Sequence, residues 1–217
     1  MTGSDRPGRG TYRHGDLRRA LLEVGVELAR SGGPDAVVLR EATRRAGVVP
    51  NAAYRHFADR QALLSAVCAA AQSAVAMAME AELARLPADP DPVAAARARL
   101  RAVGTGYVRF ARAEPGLFRT AFSVPPHLRE SANPNRAGDS GLTPYQLLAS
   151  ALDGMVEAGT LPPDRRAGGE FLAWSAVHGL ATLLIDGPLR SLDQPVADAT
   201  VQRLLDMVEL GLEGPRG

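Results

Sequence analysis

The stretch from Leu39 to Leu64, LREATRRAGVVPNAAYRHFADRQALL, carries the strongest structural signal in this chain. It predicts two short helices that are separated by a turn at Gly47 and followed by a third, longer helix. The first two segments, up to Phe57, are too short and too basic to form a core of their own. A short helix, a glycine-centred turn and a second short helix form the helix-turn-helix unit, whose second helix fits the major groove of DNA.

Charge is distributed unevenly along the 217 residues. Residues 1–60 carry 11 arginines and 7 acidic residues, a net charge of +4, whereas the remainder carries 14 arginines and 17 acidic residues. The sequence contains no lysine, so its cations are guanidinium groups suited to bidentate contacts with phosphate or guanine. A basic front and an acidic remainder predict an N-terminal nucleic-acid surface and a C-terminal part with a different role.

Apolar residues recur at helical spacing along most of the chain, and no segment alternates with the period of a strand, so we predict an all-α fold. The predicted helices are about 16–30 with Asp16 as N-cap, 39–46, 50–57, 60–86 capped by Asp59, 93–113, 117–122, 143–159, 165–186 and 195–212. Phe57 and the single cysteine, Cys68, are predicted to lie in the core. Residues 123–141, rich in proline, glycine and polar residues, are predicted to form a flexible loop.

Residues 12–67 resemble the DNA-binding domain of TetR-like (TetR/AcrR) transcriptional regulators. The matching segments are YRHGDLR at 12–18, LREATRRAGV at 39–48 and AAYRHFADRQALLSAV at 52–67. A WxxxHG segment formed by Trp174, His178 and Gly179 resembles the regulatory domain of one subgroup of that family. The sequence departs from the pattern in two places. Val49, followed by Pro50, stands where a serine or threonine usually caps the recognition helix. Ala42 and Thr43 stand where the second helix usually has a bulky aliphatic residue followed by alanine.

The resemblance implies an N-terminal three-helix helix-turn-helix DNA-binding domain, joined by a long fourth helix to a C-terminal helical bundle that dimerises. The corresponding domains are a disordered arm at 1–10, a DNA-binding domain at 11–60 and a ligand-binding and dimerisation domain at 61–217. The function expected of such a chain is sequence-specific regulation of transcription, as a repressor released from its operator by a small molecule. A ligand-independent regulator and an activator of the same fold are the alternatives.

For the DNA surface, the resemblance and the chemistry agree that Tyr54, His56 and Arg60 contact phosphates. Asn51 at the start of the recognition helix can pair with adenine, and Ala52 can meet a thymine methyl group. The complete predicted set is Arg40, Arg44, Arg45, Pro50, Asn51, Ala52, Tyr54, Arg55, His56 and Arg60. For each arginine the alternative is a solvated basic face without a ligand.

For the C-terminal part, the resemblance implies an effector pocket. The candidate lining is mostly apolar with a few polar groups, and consists of Tyr107, Phe110, Phe118, Phe122, Tyr145, Met155, Trp174 and His178. The alternative for each of these residues is ordinary core packing. Trp174 and His178 are four residues apart and lie on one face of a helix, where Gly179 is expected to allow a close approach of another helix.

A dimer is expected, because one short recognition helix contacts too few base pairs to select a site. Helix 165–186 is apolar nearly all round, which predicts burial on more than one side, and the last helix carries one apolar stripe. The predicted interface consists of Leu180, Leu184, Val201, Leu204, Leu205 and Val208. The expected partners are a palindromic operator in double-stranded DNA, a second copy of the chain and an unknown small-molecule effector.

Other classes of function lack support in the sequence. We find no nucleophile–base pair and no glycine-rich phosphate loop, and the four histidines are scattered, so we predict no catalytic site, no metal site and no cofactor. A helical adaptor that binds protein is the second rival, and the basic front argues against it. The first residues lack the apolar stretch of a signal peptide, and no later run looks long enough to span a membrane, so a cytoplasmic protein without a membrane partner is expected.

Overall fold

A computed structural model describes residues 14–124 and 133–214, and within these ranges the chain forms ten α-helices and no β-strand. The helices are α1 (His14–Gly32), α2 (Leu39–Arg45), α3 (Pro50–Tyr54), α4 (Arg60–Leu83), α5 (Pro92–Ala113), α6 (Pro115–Ala121), α7 (Pro144–Glu157), α8 (Pro163–Arg166), α9 (Gly169–Ile185) and α10 (Gln194–Glu213). Single turns of 3-10 helix occur at Pro34–Ala36, Pro134–Arg136 and Pro188–Ser191. The predicted all-α class is confirmed, whereas the predicted arm at 1–10 lies outside the described residues.

The turn between α2 and α3 forms at Gly47, as predicted. Gly47 has φ of 68°, a left-handed conformation that glycine adopts without strain. The amide of Val48 donates to the carbonyl of Thr43 at 3.1 Å, and that of Gly47 donates to the carbonyl of Arg44 at 3.3 Å. These two bonds satisfy carbonyls that the end of α2 would otherwise leave free. The turn therefore ends α2 sharply and sets the direction of α3.

Helix α4 connects the two parts of the molecule. Asp59 caps it as predicted, since its carboxylate accepts a hydrogen bond of 2.7 Å from the amide of Ala62. The helix packs against α1 and α6 as well as α5 and α7, and Cys68 is buried along it, as predicted. By length and composition α4 could cross a membrane, contrary to the sequence-based expectation, but 56% of its apolar window is buried inside the protein. Burial among other helices accounts for its composition.

Helix α5 lies at the centre of the C-terminal bundle, in contact with α4, α7, α9 and α10. Gly106 allows α5 to approach α4 closely. A Cβ atom at this position would lie 2.6 Å from the Cα of Met79 and 2.7 Å from the carbonyl oxygen of Ala78. Backbone cannot yield as a flexible side chain does, so the packing of these two helices depends on this glycine.

The structure corrects several predicted boundaries. Helix α1 begins at His14, so Asp16 lies within it and is not its N-cap. Polar residues of a first turn carry no apolar periodicity, which is why the pattern missed them. The predicted helix 165–186 is two helices, because Gly168 adopts φ of 78° between α8 and α9. Helix α3 ends at Tyr54, three residues earlier than predicted, and α6 begins at Pro115, two residues earlier than predicted.

The structure also corrects the flexibility predicted for the loop at 123–141, as far as that loop is described. The carboxylate of Glu80 on α4 accepts hydrogen bonds from the amides of Asp139 and Ser140, at 2.9 and 3.1 Å. The hydroxyl of Ser73, also on α4, donates to the carbonyl of Ala137 at 2.6 Å. Residues 133–141 are therefore fixed on α4, while 125–132 lie outside the described residues.

Candidate DNA-binding surface and ligand cavity

Helix α3 presents one exposed side and one buried side. Ala53 and Phe57 are 0% and 2% exposed, so they attach the helix to the domain core, as predicted for Phe57. The opposite side carries exposed side chains one helical turn apart, namely Pro50, Asn51, Tyr54 and Arg55. Ala52 and His56 are half-buried at its margins. The residues predicted to read bases and to contact phosphates thus occupy the free side of the recognition helix.

The start of α3 lacks a side-chain cap, as the sequence predicted. Val49 occupies the N-cap position in extended conformation, and Pro50 follows at the first helical position. The Val49 side chain is 69% exposed, which makes it the most exposed of the large apolar residues at the DNA-binding end. The sequence alone identifies this position only as a lost cap. An apolar side chain at the start of a recognition helix can also meet a thymine methyl group.

Two of the predicted arginines on α2 are engaged with a carboxylate of the same helix. Arg44 donates two hydrogen bonds to Glu41, at 2.8 and 2.7 Å, and Arg45 donates one at 2.8 Å. These hydrogen bonds lower the pKa of Glu41 to about 2. Within the described chain, the exposed Arg40 and Arg55 have no such side-chain pairing. The charge available to phosphates therefore differs among arginines that the sequence could not distinguish.

Arg60 supports the domain internally, which limits its predicted role as a phosphate contact. Its Nε donates to the carbonyl of Val37 and its Nη2 to the carbonyl of Pro34, each at 2.8 Å. The side chain is still 44% exposed and lies 3.9 Å from Asp35. Because two of its donors are used within the protein, Arg60 ties the segment between α1 and α2 to the start of α4.

A cavity of about 510 Å³ lies in the C-terminal bundle, among α4, α5, α7, α9 and α10. Five of the predicted pocket residues line it, namely Tyr107, Phe122, Tyr145, Trp174 and His178. Phe110, Phe118 and Met155 do not, and their prediction as lining residues is corrected. They are 8%, 2% and 0% exposed and belong to the packed core, where the Phe118 ring lies behind the lining residues Tyr107, Phe122 and His178 at 5.3 to 5.4 Å. Aromatic content alone could not tell these two environments apart.

Three of the lining residues form a hydrogen-bonded chain. The indole Nε1 of Trp174 donates to the Tyr107 hydroxyl oxygen at 3.0 Å, and that hydroxyl lies 2.8 Å from Nδ1 of His178. Since an indole N–H can only donate, the tyrosine oxygen accepts the hydrogen bond from Trp174, and the same hydroxyl forms the second hydrogen bond with the imidazole. Burial lowers the pKa of His178 and raises that of Tyr107. Burial thus favours the uncharged forms of both side chains.

Helix α6 joins this aromatic group to the DNA-binding domain. The ring of Phe122, just after α6, lies 5.1 Å from that of His178 and 5.9 Å from that of Trp174. At the other end of α6, Gly116 packs directly on the carbonyl oxygens of Ala29 and Arg30 at the end of α1. Arg30 also donates to Glu114 at 2.9 Å. One short helix thus contacts both the cavity and the helix that supports α3.

The structure corrects the predicted dimer interface at four of its six residues. Leu180, Leu184, Val201 and Leu205 are at most 8% exposed and belong to the protomer's own core. Leu204 and Val208 are half-buried, and Val208 and Leu205 line the cavity. The other faces of α9 and α10 carry six of the ten exposed large apolar side chains in the described chain, namely Phe171, Leu172, Leu183, Val196, Met207 and Leu210. Gly179 also lies on this side, with nothing in the protomer near it, so the predicted close approach does not occur within one subunit.

Family models match both parts of the chain. The model for bacterial regulatory proteins of the tetR family matches residues 21–67, and the model for the tetracyclin repressor-like C-terminal domain matches residues 100–208. The second match includes the WxxxHG segment. The chain belongs to the TetR family and is a DNA-binding transcriptional regulator.

Solved structures share the fold over nearly the whole chain. A protein of unknown function from Rhodococcus sp. RHA1 is 28% identical, with a TM-score of 0.71 over 95% of this chain and 100% of that one. A TetR variant from Acinetobacter baumannii AYE in complex with minocycline is 18% identical, with a TM-score of 0.56 over 94% and 100%. The TetR family regulator PfmR from Thermus thermophilus is 20% identical, with a TM-score of 0.50 over 95% and 100%. No protein of curated function matches the chain significantly.

Proposed function

We propose that this protein is a homodimeric repressor that binds a palindromic operator in the cytoplasm and leaves it when a small molecule occupies the C-terminal cavity. The proposal divides the chain into a DNA-binding domain at 11–60 and a ligand-binding and dimerisation domain at 61–217. The observation that carries it is the position of α6, which has Phe122 beside the cavity wall and Gly116 against the end of α1.

The DNA surface supports the first part of the proposal. The free side of α3 carries Asn51, with a bidentate amide suited to adenine, between apolar residues suited to thymine methyl groups, Val49 and Ala52. Arg40, Arg55 and Tyr54 are exposed around it and suit phosphate oxygens. Arg44 and Arg45 can also contact phosphates, but Glu41 offsets part of their positive charge. Arg60 acts mainly by holding the domain together.

The apolar outer faces of α9 and α10 support dimerisation. On α9, Leu172, Gly179 and Leu183 follow one another at helical spacing, and Val196, Met207 and Leu210 do so on α10. Two such helices from each subunit form a four-helix interface in which Gly179, which has no side chain, permits close packing. A second copy of the chain is therefore the partner whose surface matches this face.

Release from DNA requires two states that the ligand distinguishes. In the first, α6 holds α1 so that the two recognition helices of the dimer fit successive turns of the major groove. A ligand beside Phe122 and His178 favours a second position of α6, which α1 follows because Gly116 packs on its last turn. The spacing of the recognition helices then changes, and affinity for the operator falls.

A regulator that needs no ligand, or an activator of the same fold, is the second candidate. It would use the same DNA surface and the same dimer, and the cavity would be a gap in packing. Its apolar lining and buried hydrogen-bonded chain favour a ligand site.

Selection of bound sequences from a random duplex library, at two salt concentrations, tests the proposal. A palindromic consensus that persists at the higher salt is the expected result, since base contacts depend less on salt than phosphate contacts do. A consensus with a single half-site would contradict the proposal that the protein binds DNA as a dimer. Binding without sequence preference would contradict the proposal of sequence-specific regulation. The uncapped start of α3 would then be the first place to look for the loss of base reading.

A further inference from the structure

Gln72 on α4 is a buried polar side chain in the wall of the cavity. It is 7% exposed and lies among the lining residues. Its Nε2 donates to the carbonyl oxygen of Ala121, the last residue of α6, at 2.7 Å. Because a carbonyl oxygen only accepts hydrogen bonds, this contact fixes which side of the Gln72 amide is nitrogen and which is oxygen.

The oxygen of the same amide has no donor beside it. Within the described residues, the bond to Ala121 is the one hydrogen bond that the Gln72 side chain makes. Nor is the oxygen enclosed, because no amide oxygen is among the fully buried side-chain atoms that lack a partner in the described chain. A ligand that excludes water from this oxygen without supplying a donor loses affinity, whereas a donor placed there satisfies it. Gln72 therefore leaves one acceptor open to the cavity.

The charged groups of the wall are engaged within the protein. The described lining residues include no aspartate or glutamate. The guanidinium of Arg101 lies 2.5 Å from the carboxylate of Asp206 and 3.6 Å from that of Glu209. Arg136 also has a partner, and burial favours the uncharged imidazole of His178. The described wall thus supplies no spare charge to pair with a ligand.

The rest of the lining suits an apolar body. Aliphatic side chains from α5, α7, α9 and α10 form much of it, namely Leu100, Val103, Leu148, Val177, Leu205 and Val208. The hydroxyl of Tyr107 is already used by Trp174 and His178. A ligand that matches this cavity is therefore mostly apolar, with one polar group placed at Gln72.

We propose that the effector is an uncharged amphipath, such as a long-chain alcohol, whose hydroxyl donates to Gln72 Oε1 while its apolar body lies against the aliphatic lining. This inference rests on the proposed function, since it names the ligand class of the same cavity. The amide that receives the hydroxyl also holds Ala121. The polar end of the ligand would therefore act directly on the last residue of α6, the helix that contacts the DNA-binding domain.

Charged amphipaths are the competing classes. An ammonium group can donate to Gln72, but it would be buried without an opposing carboxylate among the described lining residues. A carboxylate would bring acceptor oxygens against the Gln72 oxygen and leave that acceptor unpaired. An ether is uncharged but has no donor. The four head groups therefore differ in what they offer to a single atom, Gln72 Oε1.

The experiment compares 1-decanol, 1-methoxydecane, decanoate and decylamine, which carry similar alkyl chains and differ in the head group. Trp174 is the only tryptophan of the chain and lines the cavity, so its fluorescence reports occupancy directly. At pH 7, 1-decanol is expected to bind about tenfold more tightly than each of the other probes. Another probe that binds as tightly as 1-decanol, or the lack of a response to all four, would overturn the proposal.

A substitution at Gln72 assigns the preference to this side chain. Gln72→Met keeps a similar volume without the amide, so it should abolish the preference for 1-decanol over 1-methoxydecane and leave 1-methoxydecane affinity unchanged. Gln61→Met makes the same substitution at an exposed position of α4 outside the cavity lining, and it is the matched control. Circular dichroism checks the fold, and the binding of 1-methoxydecane checks the cavity. An unchanged preference for 1-decanol in Gln72→Met would contradict the assignment, and the comparison of probes on the unmodified protein decides the ligand class without this variant.

Operator binding is measured separately in the same samples. Binding of 1-decanol at Trp174 without any loss of operator affinity would support the ligand class and contradict release as the mechanism. Loss of operator affinity to all four probes alike would support release and contradict the uncharged donor as the ligand class. The two proposals therefore fail in different ways.

Discussion

The DNA-binding surface and the cavity are built in opposite ways. The surface comes from one continuous stretch, residues 40–60, and most of its predicted DNA contacts are exposed, with Ala52 and His56 half-buried. The cavity is assembled from positions 72 to 208 on five principal helices, and the tyrosine at its centre, Tyr107, is 4% exposed. A surface of the first kind depends on local chemistry, whereas a cavity of the second kind depends on packing across the bundle. Variants in the two regions should accordingly affect different properties.

The largest expected effect comes from the proposed dimer interface on α9 and α10. Both the spacing of the two DNA-binding surfaces and the effect of a ligand in the cavity depend on this interface. Leu172→Glu places a charge on the outer face of α9, where dimerisation would bury it without a partner. Operator affinity is expected to fall by about 100-fold or more, with a shift from dimer to monomer in sedimentation.

Met77→Glu is the matched control for this variant, since Met77 is also an exposed apolar residue but lies on α4, outside the apolar faces of α9 and α10. It should leave the dimer and operator affinity unchanged. A dimeric Leu172→Glu protein would show that another face joins the subunits.

The next largest effect tests the junction between the two regions. Gly116→Ala introduces a methyl group against the backbone carbonyls at the end of α1, and is expected to lower the free energy of unfolding by about 3 kcal/mol. Gly154→Ala, within α7 and with nothing near its Cβ position, should instead raise it by about 1 kcal/mol. Thermal and urea unfolding measure both. Equal effects of the two substitutions would mean that α6 and α1 do not pack as described.

Asn51→Ala tests base reading on the exposed surface. It should relax base preference at one position of each half-site, reduce affinity for the preferred base by about 30-fold and leave protein stability unchanged. Selection of bound sequences with the variant, alongside an unfolding curve, provides the measurement. An unaltered consensus would remove Asn51 from the base-reading residues and leave Val49 and Ala52 to account for specificity.

The smallest expected effect concerns the shared charges on α2. Glu41→Gln releases Arg44 and Arg45 from their carboxylate, so binding should tighten slightly and its dependence on salt should steepen by about one unit of slope per phosphate gained. The pKa of Glu41 is depressed from 4.5 to about 2, so its ion pairs stabilise the folded state above pH 4.5 and are lost as the pH falls toward 2. An assay above pH 5 therefore compares a fully ionised Glu41 with the variant.

Glu23→Gln on α1 makes the same change in net charge at an exposed Arg19–Glu23 pair. A salt dependence that steepens equally in both variants would attribute the effect to net charge alone.

The two regions also differ in how far the sequence predicts them. The helix-turn-helix unit can be predicted from the sequence because its boundaries are set by local residues. Gly47 forms the turn, Pro50 begins α3 and Asp59 caps α4. Even so, the sequence could not show that Arg60 donates to carbonyls 23 and 26 residues away.

The C-terminal helices were predicted, but not which of their faces meets which neighbour. Helix α10 has two apolar stripes, one through Val201 and Leu205 in the core and one through Met207 and Leu210 on the surface. The periodicity of apolar residues reveals both stripes equally, but it does not show which stripe packs within the protomer and which stays on the surface. The same limit placed Phe110 and Met155 in the pocket, although they pack in the core.

The cavity and the DNA surface are proposed to be coupled through α6. The most direct test adds the selected operator to the protein and follows the fluorescence of Trp174, which lines the cavity. The emission of Trp174 is expected to change in proportion to the fraction of protein bound to the operator, since coupling between two sites is reciprocal. An emission that stays unchanged while the operator binds would contradict coupling between the two sites.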